Sequence, residues 1–309
     1  MTRWLVSVFG YLLYTLVLLV VLLWWRFPAA EVATWCGQRL DRLYPGLNWQ
    51  VDALKWRFPN RFLLQGIQAQ ANDKPGMQVI RVPELTLTLD PLSLARKNLR
   101  ISYSMNLYDG AGTGRIYLTW AGRFTCQGRF VNLDLHKMAG LATALNRSVQ
   151  GRADATFSWQ GTWPDMDKTK ISGMVTVSKG LLPLRKPVLG LTILPFSRFE
   201  SRVEHREQAW QLDRGRLEAK TMKVTFSGRI VPGKDLAGAR LSLSGSLVPR
   251  AELFRATGKR DMATVVRGFL RNGALRFTVS GTAADPAVQF PVGLSRAMRR
   301  FHPRGGGTR

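Results

Sequence analysis

The chain has 309 residues, enough for one large or two ordinary domains, and a globular composition. Lys and Arg outnumber Asp and Glu by 45 to 20, a formal charge of +25, and there are only two cysteines. The basic residues are scattered and no nucleic-acid motif accompanies them, so nucleic acid is not an expected partner; Cys36 and Cys126 form no C-x-x-C pair, which excludes the common zinc and redox signatures.

Residues 4–25 (WLVSVFGYLLYTLVLLVVLLWW) are apolar and uncharged throughout. At roughly 1.5 Å per residue a helix of this length crosses a hydrocarbon core of about 30 Å, and its Trp and Tyr residues suit the two interfaces. A membrane anchor is expected, with Trp4, Leu12, Leu16, Leu19, Leu23, Trp24 and Trp25 among its residues. A cleaved signal has a shorter apolar region followed by a small-residue site. This run is longer and ends in Arg26, Phe27 and Pro28, which favours an uncleaved signal-anchor over cleavage near residues 29–33. One span with the N-terminus inside follows. With an anchor present, the polyanions that +25 would meet are lipid headgroups, lipopolysaccharide or acidic protein faces.

Next, Val32, Cys36, Leu40 and Leu43 fall on one helical face, and Tyr44, Pro45 and Gly46 end that helix. From there alternation of apolar and polar residues dominates, as in LTLTL (85–89), ISYSMNL (101–107), IYLTW (116–120), MKVTF (222–226), LSLSGSL (241–247) and LRFTV (275–279). Such alternation predicts antiparallel strands with one apolar and one wet face. Two short helices are expected within residues 136–149 (Met138, Leu141, Leu145 and Val149) and 261–270 (Met262, Val265, Val266, Phe269 and Leu270). The predicted fold is therefore mainly β: an N-terminal transmembrane helix followed by an extended, curled antiparallel sheet with a few short covering helices.

The expected organisation is an inner end and anchor over residues 1–28, an amphipathic linker helix over 29–46, a β-rich domain over 47–293, and a basic, disordered tail over 294–309. Several strands carry a polar residue followed by glycine: Gly128, Gly161, Gly173, Gly228, Gly245 and Gly281. Either a strand-and-bend repeat or ordinary turns and bulges accounts for them. The apolar face, sampled by Leu85, Leu87, Leu89, Ile116, Leu118, Phe277 and Val279, forms either a closed core or a trough suited to acyl chains.

Nothing in the chain reads as catalytic. His136, His205 and His302 lack metal spacing, and Asp165 with Asp167 lacks the glycine and closing glutamate of a calcium loop. Gly110, Gly112 and Gly114 lie between two alternating segments, where a hairpin turn fits better than a phosphate loop. No G-x-S-x-G elbow, H-E-x-x-H pair or Walker loop is present. No enzyme activity, cofactor or metal is expected. The two cysteines read either as one disulfide or as two buried thiols.

The order of parts resembles a known family. The Leu-rich anchor closing in Arg26, Phe27 and Pro28, the helix running into Tyr44, Pro45, Gly46 and Leu47, and FLLQGI (62–67) carry the likeness. So do LTLTLDPLSL (85–94), LYDGAG (107–112), residues 151–161, Gly228, Arg229 and Ile230, and ARLSLSG (239–245). They resemble the type II secretion system protein N family (general secretion pathway N, GspN) and, in pattern, the wider AsmA-like envelope proteins. The resemblance implies a non-enzymatic inner-membrane component with a periplasmic β domain, whose partners are other components of that secretion system and the membrane. An AsmA-like lipid-binding module, taking phospholipid or lipopolysaccharide, is the alternative it implies.

Overall fold

The computed structural model describes residues 4, 7–12, 14–15, 18, 22, 28–43, 46–72, 78–162, 169–206, 208–233, 237–256 and 260–299. The protein is mainly β, with fourteen strands among the described residues, antiparallel and in chain order. The chain divides into two compact units, Met1–Asn106 and Leu107–Arg309.

In the first unit, α1 (Ala29–Leu43) is followed by β1 (Leu47–Arg57), β2 (Arg61–Ala71), β3 (Gln78–Leu89), α2 (Pro91–Ala95) and β4 (Asn98–Leu107). The predicted face of α1 holds for Val32, Cys36 and Leu40, which are half-buried, with Ala33 and Gly37 buried between them. Its Asp41 carboxylate accepts the Trp49 N–H at 2.8 Å, which ties α1 to β1. The stretch DPLSL is a helix start: Asp90 caps α2 by accepting from the Leu92 N–H, and Pro91 takes the first turn, where its missing N–H costs nothing.

The second unit holds β5 (Gly110–Thr119), β6 (Arg123–Asp134), a 3-10 turn (Leu135–Lys137), α3 (Ala139–Leu145), β7 (Gln150–Thr162), β8 (Lys170–Val188), β9 (Leu191–Arg206) and β10 (Ala209–Glu218). Then come β11 (Met222–Val231), β12 (Arg240–Pro249), α4 (Ala251–Ala256), α5 (Arg260–Gly268), β13 (Leu275–Gly281), β14 (Pro286–Gln289) and α6 (Val292–Arg299). The helix expected over 136–149 is shorter: α3 stops at Asn146, which adopts a left-handed cap, and Val149 is buried beyond it. The tail expected to be disordered from Leu294 begins inside α6, where Leu294 is 0% exposed because its side chain completes the core; residues 300–309 lie outside the described residues.

One expectation about glycine is corrected. Gly110, Gly112 and Gly114 lie inside β5, and the chain reverses instead at Tyr108 and Asp109, both at positive φ (50° and 58°). Of the polar-Gly pairs, those at Gly128, Gly161, Gly173, Gly228 and Gly245 sit within strands, whereas Gly281 ends β13 at a φ of 95°. Gly245 shows why glycine stands inside a strand. A Cβ there would meet the Thr225 carbonyl, the Phe277 ring at 2.8 Å and Phe226 Cβ at 3.0 Å, so the neighbouring backbone and the two aromatic residues leave no room for a side chain.

The core lies at one end of the second unit, where α3 to α6 and the β8–β9 tip meet the sheet. Leu189 at that tip is buried, although its φ of 51° is costly for a Leu, and it packs into the same cluster as Leu253, Val266, Leu275 and Leu294. Arg147 pins the surrounding loops by donating to the carbonyls of Leu145 (3.1 Å), Pro183 (3.3 Å) and Ala283 (3.3 Å). Burial and the neighbouring Arg185 lower its pKa, while Asp285 opposes them. Leu275→Ala, in a fully buried site, is expected to cost about 2–5 kcal/mol of unfolding free energy, measured by urea denaturation of the full chain.

Candidate functional site

Residues opposite one another in the ladders share a face, so the registers of β5 to β13 define cross-strand rows. One row runs Leu133, Ala153, Val177, Phe199, Leu217, Val224, Leu247, Leu275. It lies nearest the helices, and all but the half-buried Phe199 are buried. The next rows on the same face hold Phe130, Ala155 and Val175, then Phe157, Val203, Leu212, Leu243 and Val279. These are half-buried. Along β13 burial falls from Leu275 to Phe277 and Val279, and along β12 from Leu247 to Leu243 and Leu241. The helices cover one end of an apolar face and leave its continuation partly open.

Furthest from the helices the face is aromatic. Trp159 meets Phe124 edge-on at 5.1 Å, and His205 lies against Trp210 at 4.9 Å between ring centroids. The Trp159 indole N–H is buried and has no hydrogen-bond partner among the described residues. The opposite face is polar, with ion pairs between Arg202 and Glu204 (3.0 Å) and between Arg198 and Glu200 (3.1 Å).

The seven residues expected to line a core or trough occupy three places. Leu85, Leu87 and Leu89 are half-buried on β3, where Leu85 faces Leu64 and Met105 and Leu87 faces Phe62 and Tyr103. Ile116 and Leu118 are half-buried on β5; Phe277 and Val279 are half-buried on β13. Eight strand steps of about 4.8 Å separate β5 from β13 along the sheet, so these pairs do not converge on one pocket.

The alternation of β7, β8 and β9 was not among the strand patterns read from the sequence, yet their Phe157, Val175 and Val203 fill the middle of this face. Their alternation is present in ADATFSW (153–159), ISGMVTV (171–177) and FESRVEH (199–205). Of the expected anchor residues, Trp4 and Leu12 are helical and exposed (74% and 65%), whereas Leu16, Leu19, Leu23, Trp24 and Trp25 lie outside the described residues. Among the described residues no helix is long and apolar enough to cross a membrane. Asp165, Asp167 and His302 also lie outside them, and among the described residues no group of three His, Cys, Asp or Glu is placed to hold a metal. Cys36 and Cys126 form no disulfide with each other, and burial raises the pKa of Cys36.

Comparison with models of known protein families, with curated proteins and with solved structures finds no match.

Two outcomes follow from this burial. Val279→Asp should leave the full chain folded by circular dichroism, because its carboxylate reaches water, whereas Leu275→Asp on the same strand should abolish the sheet signal. A raised thiol pKa leaves less thiolate at a given pH, so Cys36 should alkylate more slowly at pH 8.5 in the native chain than in the urea-unfolded chain; the gap should narrow as pH rises through the folded pKa.

Proposed function

We propose that this chain is a non-enzymatic, inner-membrane-anchored component of a type II secretion system, with its β body in the periplasm acting in assembly or partner binding. Residues 4–25 form the single membrane span and the N-terminus is cytoplasmic. The exposure of the helical residues Phe9, Tyr11, Leu12 and Tyr14 supports this, since unburied apolar side chains on a helix suit a lipid environment. The observation that carries the partner-binding reading is β1: eleven residues long, it stands at the edge of its sheet and pairs only with β2 among the described strands. A free edge is a template on which a partner adds a strand.

A second reading is favoured by one specific observation, the half-buried apolar rows of the second unit. In it the sheet is extended and curled around those rows, which hold acyl chains as an AsmA-like lipid-binding or lipid-transfer module does. Phospholipid and lipopolysaccharide are the ligands this reading implies.

A photo-crosslinking amino acid placed in living cells at Ala53 on β1 and at Val279 on the apolar face, followed by mass spectrometry of the adducts, separates the two. Secretion-system proteins captured at Ala53 support the first reading; lipid captured at Val279 with no protein adduct at either position replaces it with the second. Deleting residues 1–28 is expected to leave a folded β body but to abolish secretion of the system's cargo, and full activity of that truncated chain would refute the anchor's role.

A further inference from the structure

On the polar face of the second unit, opposite the apolar rows, lies a cleft of about 910 Å³. We propose that this cleft binds a phosphate-bearing anion through Arg214, Arg216 and Arg276. The proposal does not rest on the function proposed above, because it concerns the other face of the sheet.

The register builds the cleft. Arg216, Thr225, Ser246 and Arg276 stand opposite one another on four successive strands, β10 to β13. Three strand steps of about 4.8 Å put the two arginines roughly 14 Å apart, with a hydroxyl floor between them. Thr225 Oγ1 and Ser246 Oγ are 2.8 Å apart, so one hydroxyl donates to the other and the second keeps its proton for a ligand oxygen. The third arginine sits at a β-bulge. The pairing of β10 shifts between Leu212 and Gly215 against β11 and between Asp213 and Arg216 against β9, and Arg214 at the bulge has a φ of 51°. Arg214 at this bulge and Arg216, two residues further along the strand, both line the cleft.

The electrostatics favour an anion. No Asp or Glu lines the cleft. Elsewhere on this face arginines pair with carboxylates, as Arg198 does with Glu200 and Arg202 with Glu204. Arg214, Arg216 and Arg276 are exposed and make no ion pair within 4 Å among the described residues, although Glu200 stands opposite Arg216 on β9 and lines a smaller cavity with it, Arg198 and Glu218. Three guanidinium groups beside a row of hydroxyls match the several acceptor oxygens of a phosphate. Pro291 and Val292, the latter 75% exposed, add an apolar lip at one side, against which the chain of a phosphate ester fits.

The test is calorimetric titration of the full chain in dodecyl maltoside with inorganic phosphate and with dihexanoyl phosphatidylglycerol. The variant R214Q/R216Q/R276Q is expected to weaken binding about tenfold or more. R229Q/R240Q/R250Q removes the same charge from exposed positions outside the cleft and is expected to bind as the parent does. Arg276→Gln alone, expected to weaken binding about threefold or more, stands in should the first triple variant lose its sheet signal. Tighter binding of the lipid than of phosphate identifies the ligand as a lipid headgroup; equal binding identifies it as a free phosphate. Absence of binding to the parent chain, equal weakening in both triple variants, or unchanged binding in R214Q/R216Q/R276Q and Arg276→Gln overturns the proposal.

Discussion

An antiparallel sheet with one apolar face must cover that face, and here the cover is short. The second unit lays ten strands side by side, but its helices α3 to α6 run for at most nine residues each. They bury a single cross-strand row, from Leu133 to Leu275, and the β8–β9 tip adds Leu189. Beyond that row the apolar side chains remain half-buried because no further helix in the described chain reaches them. The second unit therefore has a tightly packed end that holds the fold and a longer stretch of half-buried apolar side chains beyond it.

Glycine and aromatic residues share that stretch by volume. Phe124 lies over Gly161, Phe226 over Gly215, and Phe277 over Gly245. Each ring shields a backbone that a larger side chain would have shielded, and each glycine costs strand propensity that the ring partly restores. Stacked pairs such as Phe130 with Phe157 (5.7 Å) and Phe199 with Phe226 (5.7 Å) extend the pattern across strands.

How much of this was legible depended on whether each strand kept its alternation clean. LTLTL and LRFTV announce their faces because every second residue is apolar and the rest are polar. β8 and β9 interrupt theirs with Pro183, Pro187 and Pro195 in the far arm of a long hairpin, where the register shifts between Pro183 and Val188. At Asp213, Arg214 and Gly215 the structure places a bulge inside β10, a feature that only the neighbouring strands decide. The arginine cleft was unreadable for the same reason. Arg216 and Arg276 are sixty positions apart, and only register places them on one row. The metal and catalytic motifs that sequence reading searched for depend on spacing within a segment, whereas these groups are assembled across strands.

The order of the strands carries a further consequence, for how the molecule comes into being. Because neighbours in space are neighbours in sequence, each strand can pair with the one made just before it, and little chain entropy is lost in closing each hairpin. A chain emerging end-first can therefore extend its sheet by accretion. Its core, however, waits for the last arrivals: Leu253, Val266, Leu275 and Leu294 all come from the final sixty residues. Until then the apolar face of the nascent sheet stands bare, so this protein passes its most aggregation-prone moment late in synthesis, with most of its hydrogen bonds already made.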